Sequence, residues 1–459
     1  PGGEPGLNIE FFGTGDSDIA PIWNPEAFFN VMVVNGVSWP ELEVAPAIYR
    51  FRLLNGSNSR FLNLAMYRVG SNGALDREVP FYQIGAEQSL MPEVVRIETG
   101  FATPLPGDGR DVDLDTPDCL DALGDPIADC IVAQPAPFAE QAMLVGLAER
   151  ADVLVDFSNL KDGTVIRMIN TAPDAPFGGF PDVPADPATT GQVMQFRVNS
   201  DLLGASPTDP EIAVTDKKGR TKFKNNPNAA SKPQNLLLSL PEADDPANTG
   251  IGDMVVAAPR DLALLEEESL TVCVTINAVT GAIDQVPGAH PDHDTGQCVL
   301  NGQVILDAFP FGPKAAVLGT SGAAGGDVQL WADPIRQNPA LDSTETWELW
   351  NWSADAHPIH LHLVKFKVLN REAFDPATGG LLGAVPASAH EQGWKDTVIA
   401  YPGEVTRVRA TFDIPGLYVW HCHIVEHEDN EMMVPFSVGD TGDNGCEVHE
   451  AGAAMGGQQ

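Results

Sequence analysis

The stretch HCHIVEHEDNEMM (421–433) holds three histidines, one cysteine and two methionines within thirteen positions. Imidazole, thiolate and thioether are ligands that copper prefers in proteins. A second cluster, HPIHLH (357–362), contains three more histidines. The two clusters hold six of the ten histidines, and both lie in the last quarter of the chain, so this concentration predicts a metal site there.

The spacing within the first cluster fits a blue-copper centre, which uses one cysteine thiolate, two imidazoles and a long axial thioether. Cys422, His427 and Met432 supply three of these ligands from one strand and the loop that follows it. His357 is the natural second imidazole, brought from a neighbouring strand end. Met433 remains an alternative to Met432 as the axial ligand.

The two-residue period of a strand predicts a second, separate pocket. Successive side chains of a strand point to opposite faces, so His421 and His423 face away from Cys422. His360 and His362 are also two apart and are expected to share a face. The four imidazoles are thus predicted to point into one pocket, where electrons collected singly at Cys422 would be used.

Short segments rich in Val, Ile, Leu, Phe and Tyr, broken by Pro, Gly, Asn and Asp, predict an all-β fold of sandwiches or barrels with no long amphipathic helix. The predicted strands include FNVMVVNG (29–36), AIYRFRLLNGS (47–57), RFLNLAM (60–66), ADVLVDF (151–157), TVIRMIN (164–170), NLLLSL (235–240), LTVCVTI (270–276), ETWELWNW (345–352), HLHLVKFKVL (360–369), EVTRVRATF (404–412) and GLYVWHCHI (416–424). The acidic, proline-rich segments 101–139 and 241–295 are predicted to be strand-poor insertions.

The net charge of −38 and the pI near 4.3 exclude general nucleic-acid binding, because phosphate would be repelled. No apolar run reaches the roughly 18 to 20 residues of a membrane helix. The spacings Cys119–Cys130 and Cys273–Cys298 suit loop-closing disulfides, which predict an oxidising, extracellular or periplasmic location. The basic patch KKGRTKFKNN (217–226) is interpreted as part of an inter-domain connector.

At these motifs the chain resembles the multicopper oxidases, and most of all the branch with bacterial spore-coat laccase, bilirubin oxidase and phenoxazinone synthase. The similarity covers about 21–200 and 231–440. It is carried by VNGVSWPELEV (34–44), YRFRLLNGSNSRFLNLAM (49–66), ERADVLVDF (149–157), QGWKDTV (392–398), HPIHLH (357–362) and YVWHCHIVEHEDNEMM (418–433).

The family fold is three cupredoxin domains, and the resemblance implies that this chain holds the second and third. Each would be a Greek-key β-sandwich or barrel, with long acidic loop insertions. The implied division is a connector (1–20), a cupredoxin domain without copper ligands (21–200), a linker (201–232), a copper-binding cupredoxin domain (233–440) and a mobile tail (441–459).

The resemblance also implies roles for individual residues. The type 1 copper would be held by His357, Cys422, His427 and Met432. The type 2 copper would be held by His360, and the type 3 pair by His362, His421 and His423. Glu428 matches an acidic position that helps deliver protons to oxygen in the spore-coat laccase branch.

The chain departs from the family pattern in one respect. The family uses eight histidines for its trinuclear cluster, and this chain matches four; the others come from two His-X-His pairs in the first domain. The first 289 residues contain no histidine, so self-assembly would not supply the missing ligands. HPDHD (290–294) has the wrong spacing and is interpreted as a surface loop. A second polypeptide carrying the first domain is therefore expected, with Cys446 as a candidate tether.

The function implied is that of a laccase-like oxidase, which takes electrons from phenols or aromatic amines and reduces dioxygen to water with copper as cofactor. Three alternatives remain open: a metal-ion oxidase acting on Mn²⁺ or Fe²⁺, a non-enzymatic blue-copper electron carrier, and a structural copper-binding subunit. The acidic motif DVDLD (111–115) lacks the glycine and the later glutamate of an EF-hand loop and is not interpreted as a calcium site.

Overall fold

A computed structural model of the chain describes most of its length. The described residues are 7–8, 26–98 apart from 72 and 74, 112–113, 131–132, 143–203 apart from 181, 211–215, 221–225, 259–268, 272–276, 283–292, 297–311, 314–322 and 325–439. Within these ranges strands predominate and there is almost no helix. No helix among them is long and apolar enough to cross a membrane.

The strands of the first half are β1 Leu7–Asn8, β2 Val33–Val34, β3 Val37–Ser38, β4 Glu41–Val44, β5 Ile48–Leu54, β6 Leu62–Val69, β7 Leu75–Glu78, β8 Phe81–Gly85, β9 Leu90–Ile97, β10 Val112–Asp113, β11 Ile131–Val132, β12 Met143–Val145, β13 Arg150–Asp156, β14 Val165–Asn170, β15 Gln192–Val198, β16 Glu211–Thr215 and β17 Thr221–Asn225. A 3-10 helix spans Ser200–Leu202.

The strands of the second half are β18 Arg260–Glu268, β19 Val272–Ile276, β20 Ile283–Gln285, β21 His290–Pro291, β22 Cys298–Leu300, β23 Gln303–Val304, β24 Phe309–Phe311, β25 Lys314–Gly322, β26 Gly325–Gln329, β27 Ser343–Asn351, β28 His357–Leu361, β29 Phe366–Asp375, β30 Gly380–Pro386, β31 Thr397–Ala400, β32 Glu404–Phe412, β33 Gly416–Cys422 and β34 Met433–Val438. A 3-10 helix spans Ala389–Glu391, and the α-helix α1 spans Val425–Glu428.

The first sandwich packs the sheet β12-β6-β14-β15-β4, with β7 beside β6, against the sheet β5-β13-β8-β9. Strand β13 shows how its sequence builds the core: Ala151, Val153 and Val155 are buried, while the residues between them are half-buried. This alternation is the signature of a strand with one face on a core. Phe157 and Phe196, both fully buried, help to fill the space between the two sheets.

The second sandwich packs the seven-stranded sheet β26-β25-β18-β27-β32-β29-β30 against the four-stranded sheet β31-β28-β33-β34. The chain crosses between the two sheets from β27 to β28 to β29, and again from β31 to β32 to β33, as in Greek-key sandwiches. Trp347, Phe412 and Phe436 form the aromatic centre of the core, with ring centroids 5.4 to 6.0 Å apart. The prediction of an all-β fold with sandwich units is confirmed.

The prediction that 241–295 is poor in strands is wrong from residue 260 onward, where β18, β19, β20 and β21 follow one another. Strand β18 lies inside the seven-stranded sheet, antiparallel to β25 and parallel to β27. Leu262, Ala263 and Leu264 are fully buried, so the strand is covered on both faces. A strand of this kind has no polar alternation to reveal it, and the three glutamates at its end made the segment look like a loop.

Two predicted strands are divided in the structure. In FNVMVVNG only β2 is a strand, and it forms a short hairpin with β3 through Asn35 and Gly36, whose φ angles of 51° and 83° suit a type I′ turn. HLHLVKFKVL breaks after β28, where Leu363 adopts a φ of 72°, and the chain then enters the other sheet as β29.

Several predictions concern segments outside the described ranges. These are the strand 235–240, the tail 441–459, nearly all of the connector 1–20 and the cysteines Cys119, Cys130 and Cys446. Strands β16 and β17 form a hairpin within the predicted linker. A disulfide joins Cys273 and Cys298, which are both buried. The predicted domain boundaries stay a prediction.

An ion pair with little exposure to solvent, Arg371–Glu391, lies near the contact between the sandwiches. Both guanidinium nitrogens Nη1 and Nη2 donate to the Glu391 carboxylate at 2.6 Å. The carbonyl of the neighbouring His390 accepts from Gln83 of the first sandwich at 3.2 Å. Burial acts to raise the pKa of Glu391, but Arg371 outweighs it and holds this pKa at about 2.

Glu391→Gln is expected to lower the free energy of unfolding by about 3–5 kcal/mol at pH 7, because it leaves the Arg371 cation buried without its partner. The stabilisation by Glu391 is present above its unfolded pKa of 4.5 and is lost as the pH falls toward 2. Thermal melts at pH 7, 4 and 3 should therefore show a gap between wild type and variant that narrows on acidification. Glu41→Gln, which breaks the exposed pair with Arg197, is the matched control and should change the melting temperature little. A gap that widens on acidification would contradict this account.

Candidate metal centres

Strand β33 carries potential metal ligands on both of its faces. The ligand atoms of His357, Cys422 and His427 form one group, in which all lie within 4.8 Å of one another. Those of His360, His362 and His421 form a second group within the same limit. The register of the four-stranded sheet explains the separation, because β28 pairs with β33 to set His360 opposite His421 and Ile359 opposite Cys422.

The first group is buried at the end of the second sandwich's core. The Cys422 Sγ lies 3.6 Å from the Nδ1 of His357 and 3.9 Å from the Nδ1 of His427. The far ring nitrogen of His357, Nε2, is 2.7 Å from the Ser353 hydroxyl. The backbone N–H of Ile424 donates to the Cys422 sulfur at 3.4 Å. Both Nδ1 atoms are thus turned toward the sulfur.

The electrostatics of this group suit a cation. Burial raises the pKa of the Cys422 thiol well above its ordinary value. Burial, together with the neighbouring His427, lowers the pKa of His357 well below its ordinary value. His357 therefore keeps a lone pair available at neutral pH, and the Cys422 thiolate would form readily only beside a positive ion.

The pairing of β33 with β34 separates the two candidate axial methionines. Met433 lies directly opposite His421 in the register, and directly paired residues project to the same face of a sheet. Met433 therefore shares the face of His421. Met432 is fully buried, accepts the Cys422 N–H at its carbonyl and donates its own N–H to the His427 carbonyl. This places Met432 next to the Cys422 group.

The second group forms a more open pocket. The Nε2 atoms of His362 and His421 are 3.2 Å apart. His423 also contributes, since its ring centroid lies 5.3 Å from that of His421 and 5.9 Å from that of His360. His362 and His423 lie just beyond the ends of their strands, yet their rings keep the predicted side. His362 is exposed, which leaves the pocket open to solvent.

The carboxylate of Glu428 lies at the rim of this pocket. Its Oε2 is 3.4 Å from the His421 Nδ1, and the side chain is 25% exposed. Burial acts to raise the pKa of Glu428, but the hydrogen bond and the charge of His421 lower it overall. An ionised carboxylate in contact with both solvent and a pocket histidine can accept and pass on protons.

A cluster of carboxylates lies on the opposite side of His427 from the sulfur. Glu26 Oε1 is 3.7 Å from the His427 Nε2, and the Glu26 side chain is only 5% exposed. Its Oε2 has no hydrogen-bond partner among the described residues. Burial first, and then the charges of Asp355, Glu426 and Glu266, raise the pKa of Glu26 to about 9.

The loop after Cys422 is held against the first sandwich. The Val425 N–H donates to the Asn58 carbonyl at 3.1 Å. The Ser59 hydroxyl donates to the Glu426 carboxylate at 2.8 Å. Helix α1, which positions His427, is only four residues long and depends on these contacts, because so short a helix is marginal alone.

The donor sets fit copper to different degrees. Thiolate with two imidazoles and an adjacent thioether is the set of a blue-copper centre, and the distances around the sulfur leave room for one ion. The imidazole pocket supplies four donors and is open on one side. Of the other histidines, His290 is exposed and His390 is half-buried at the contact between the sandwiches, away from either group. His293 and His449 lie outside the described residues.

Comparison with known proteins identifies the family. The model of the multicopper oxidase family matches residues 320–442, which contain both histidine clusters. The chain belongs to the multicopper oxidase family. This multicopper oxidase chain is 30% identical to a laccase of Bacillus stratosphericus over 432 residues, which are 92% of this chain and 56% of that protein. It is 28% identical to a laccase of Bacillus subtilis (strain 168), over 89% of this chain and 54% of the relative.

Among solved structures, the chain is similar to the McoA multicopper oxidase from the hyperthermophile Aquifex aeolicus. The TM-score is 0.47 at 21% sequence identity, covering 92% of this chain and 62% of that one. The multicopper oxidase chain described here thus spans about half the length of the curated relatives that it matches.

Three residues near the ligand groups were not recognised from the sequence. Ser353 and Glu26 contact the outer nitrogens of His357 and His427. Asp396 lies within the stretch QGWKDTV and accepts from His360 through its carbonyl. Asp396 could have been found from the sequence, because it belongs to the quoted stretch QGWKDTV. Glu26 could not, because it is some 400 positions from His427 and no motif links the two.

Met432→Leu is expected to raise the reduction potential of copper bound at the Cys422 group, because it removes a thioether that would stabilise the oxidised ion. Met433→Leu is a control of the same size at the next position, and it should leave the potential unchanged. Redox titration of the visible absorption of the copper-loaded chain measures both variants. A shift confined to Met433→Leu would reverse the placement argued here.

Proposed function

We propose that this chain is the electron-accepting part of a laccase-like copper oxidase. Phenols or related aromatic donors would give up single electrons at the edge of His427, and dioxygen would be reduced to water at the imidazole pocket. The observation that carries the proposal is the placement of Cys422 between His421 and His423, which joins two ligand groups through one short stretch of backbone.

The candidate ligands of the chain would bind different copper ions. His357, Cys422, His427 and Met432 would hold a type 1 copper; His360 would hold the type 2 copper; His362, His421 and His423 would hold the type 3 pair. Copper, when bound, supplies the one-electron redox chemistry and the reduction of dioxygen. Ser353 orients His357 from outside, and such outer contacts fix both the ring and its tautomer.

Proton supply is assigned to Glu428. Reduction of dioxygen to two waters takes up four electrons and four protons, and the protons must come from solvent. Glu428 is the carboxylate that touches the His421 ring and remains partly exposed. It would accept protons from water and pass them into the pocket.

The imidazole pocket is half of the set that the family uses, so further ligands must come from outside these 459 residues. A cupredoxin domain with two His-X-His pairs would close the pocket at exposed His362. The expectation that a separate subunit brings this domain gains no support from the relatives, which are single chains about twice as long as the matched region. The proposal therefore requires the domain and not a separate polypeptide. The buried Cys273–Cys298 disulfide is consistent with an extracellular or periplasmic location.

Oxidation of a divalent metal ion is a second candidate, favoured by one observation. Among the described residues the buried Glu26 Oε2 has no hydrogen-bond partner, three further carboxylates lie beside it, and Oε1 is 3.7 Å from the His427 Nε2. Hard cations such as Mn²⁺ or Fe²⁺ prefer carboxylate oxygens. A cation at Glu26 would balance the charge of the cluster and lie next to the imidazole that accepts its electron.

The two donors are distinguished by single-turnover reduction of the copper-loaded chain, which does not require a complete imidazole pocket. A methoxyphenol or Fe²⁺ is mixed anaerobically with the protein, and bleaching of the visible absorption is followed by stopped flow. Bleaching by the phenol is the expected result for the leading proposal. Glu26→Gln should slow bleaching by Fe²⁺ at least about tenfold, equivalent to ~1.4 kcal/mol of cation binding, if the second candidate holds.

The matched control is Glu93→Gln, an exposed carboxylate of the first sandwich, which should leave both rates unchanged. Equal effects of Glu26→Gln on phenol and Fe²⁺ would remove the support for a cation site. A copper-loaded chain that neither donor reduces would refute His427 as the point where electrons arrive.

A further inference from the structure

The first sandwich makes hydrogen bonds and an ion pair with the segment that leads into β31, the strand beside His360. The Gln88 N–H donates to the Trp394 carbonyl at 3.0 Å, and the Trp394 N–H donates to the Ser89 hydroxyl at 3.1 Å. The Lys395 ammonium lies 2.7 Å from the Glu87 carboxylate, and both side chains are almost fully buried. Consecutive residues of the second sandwich are thus fixed by backbone and side-chain groups of the first.

The strongest of these contacts involves Asp396. Arg150 of β13 donates from Nη1 to Asp396 Oδ1 at 2.8 Å and from Nη2 to Oδ2 at 2.7 Å. The Gln88 amide also donates to Oδ2. The Asp396 side chain is 8% exposed. Two-pronged, charge-assisted pairs of this kind fix orientation as well as adding energy.

A chain of hydrogen bonds leads from this carboxylate to the candidate ligand His360. The Thr397 hydroxyl donates to Asp396 Oδ1 at 3.1 Å, so its lone pairs are free to accept. The His360 Nδ1 lies 3.2 Å from that hydroxyl and 2.7 Å from the Asp396 carbonyl oxygen. Both oxygens accept, so the proton of the neutral ring resides on Nδ1 and the lone pair on Nε2 faces the pocket.

The hydrogen-bond partners of Asp396 determine whether the Thr397 hydroxyl continues to accept from the His360 ring. Without Arg150, the Asp396 carboxylate would be free to rotate away from Thr397, and the Thr397 hydroxyl could then turn its own proton toward the His360 Nδ1. That hydroxyl would favour the proton on Nε2 while the Asp396 carbonyl still favours it on Nδ1, so both tautomers of His360 would be populated. The pairing of Thr397 with His360 across β31 and β28 keeps the backbone in place but does not orient either side chain.

We propose that Arg150 is a positioning residue for His360, acting through Asp396 and Thr397 to present the His360 Nε2 to a metal ion. The inference rests on the proposed function for its metal, but the tautomer itself is a property of the metal-free chain. It assigns a task to the first sandwich, which contains no histidine and no candidate copper ligand. The sandwich would hold one pocket ligand in register with the others across the contact between the two units.

The test compares Arg150→Ala and Arg150→Lys with Arg50→Ala. Arg50 makes a similar two-pronged pair with Asp152 in the same sheet, but that pair is exposed and remote from His360. Long-range ¹H–¹⁵N spectra of histidine-labelled, metal-free protein report which nitrogen of His360 carries the proton. Wild type and Arg50→Ala should show Nδ1–H. Arg150→Ala should show a mixture of tautomers. Arg150→Lys should give a proportion of Nδ1–H between those of wild type and Arg150→Ala, because lysine keeps the positive charge but cannot form the two-pronged pair.

A second readout is Cu(II) binding to the imidazole pocket after the Cys422 group has been filled, measured by titration with electron paramagnetic resonance. Loss of an outer-shell partner typically weakens metal binding about 10–100-fold, and that range is expected for Arg150→Ala, with the Cys422 absorption unchanged. An Nδ1–H tautomer and a Cu(II) affinity both equal to wild type in a folded Arg150→Ala or Arg150→Lys variant would overturn the inference. Failure of wild type to bind copper at Cys422 would instead refute the proposed function, while the tautomer measurement would still decide the role of Arg150.

Discussion

The pairing of β28 with β33 is the constraint on which the candidate centres depend. This short antiparallel contact sets His360 opposite His421 and Ile359 opposite Cys422. The pleat then sends Cys422 to one side of the sheet and its neighbouring histidines to the other. A shift of one residue in this register would exchange the two faces and separate Cys422 from His357. Burial of Ile359, Trp420 and Val434 in the core of the sandwich opposes such a shift.

The two faces of β33 differ in their charged groups and in their exposure to solvent. The Cys422 face is closed, and burial there disfavours both a free thiolate and a protonated His357. The pocket face is open at His362 and has the ionised Glu428 at its rim. The closed group therefore suits an ion that exchanges electrons without changing its ligands, and the open one suits chemistry with a small molecule and protons. Glu26 adds a buried carboxyl oxygen, without a hydrogen-bond partner in the described part of the chain, at the outer edge of His427, where a donor would arrive.

The first sandwich acts on the candidate site from outside. It holds helix α1 through Asn58 and Ser59, and it holds the approach to β31 through Arg150. The Ser59 and Arg150 contacts are made by polar side chains that are partly or largely buried, so each is sensitive to loss of either partner. A rigid support of this kind is what precise metal geometry requires. This explains why a sandwich that supplies no candidate copper ligand lies against the one that does.

The sequence by itself determined the all-β class, the positions of β27, β28, β29, β32 and β33 in the second sandwich, and the division of the candidate ligands between two faces. These features follow from local periodicity, since the alternation in His421-Cys422-His423 is a property of any strand. Tertiary structure alone decided the rest. It brought Glu26 to His427 and Arg150 to Asp396, it placed acid-rich β18 inside a sheet, and it separated Met432 from Met433 through the register with β34. These outcomes depend on contacts between residues far apart in the chain, and no local pattern of side chains encodes which distant partner a buried charge will meet.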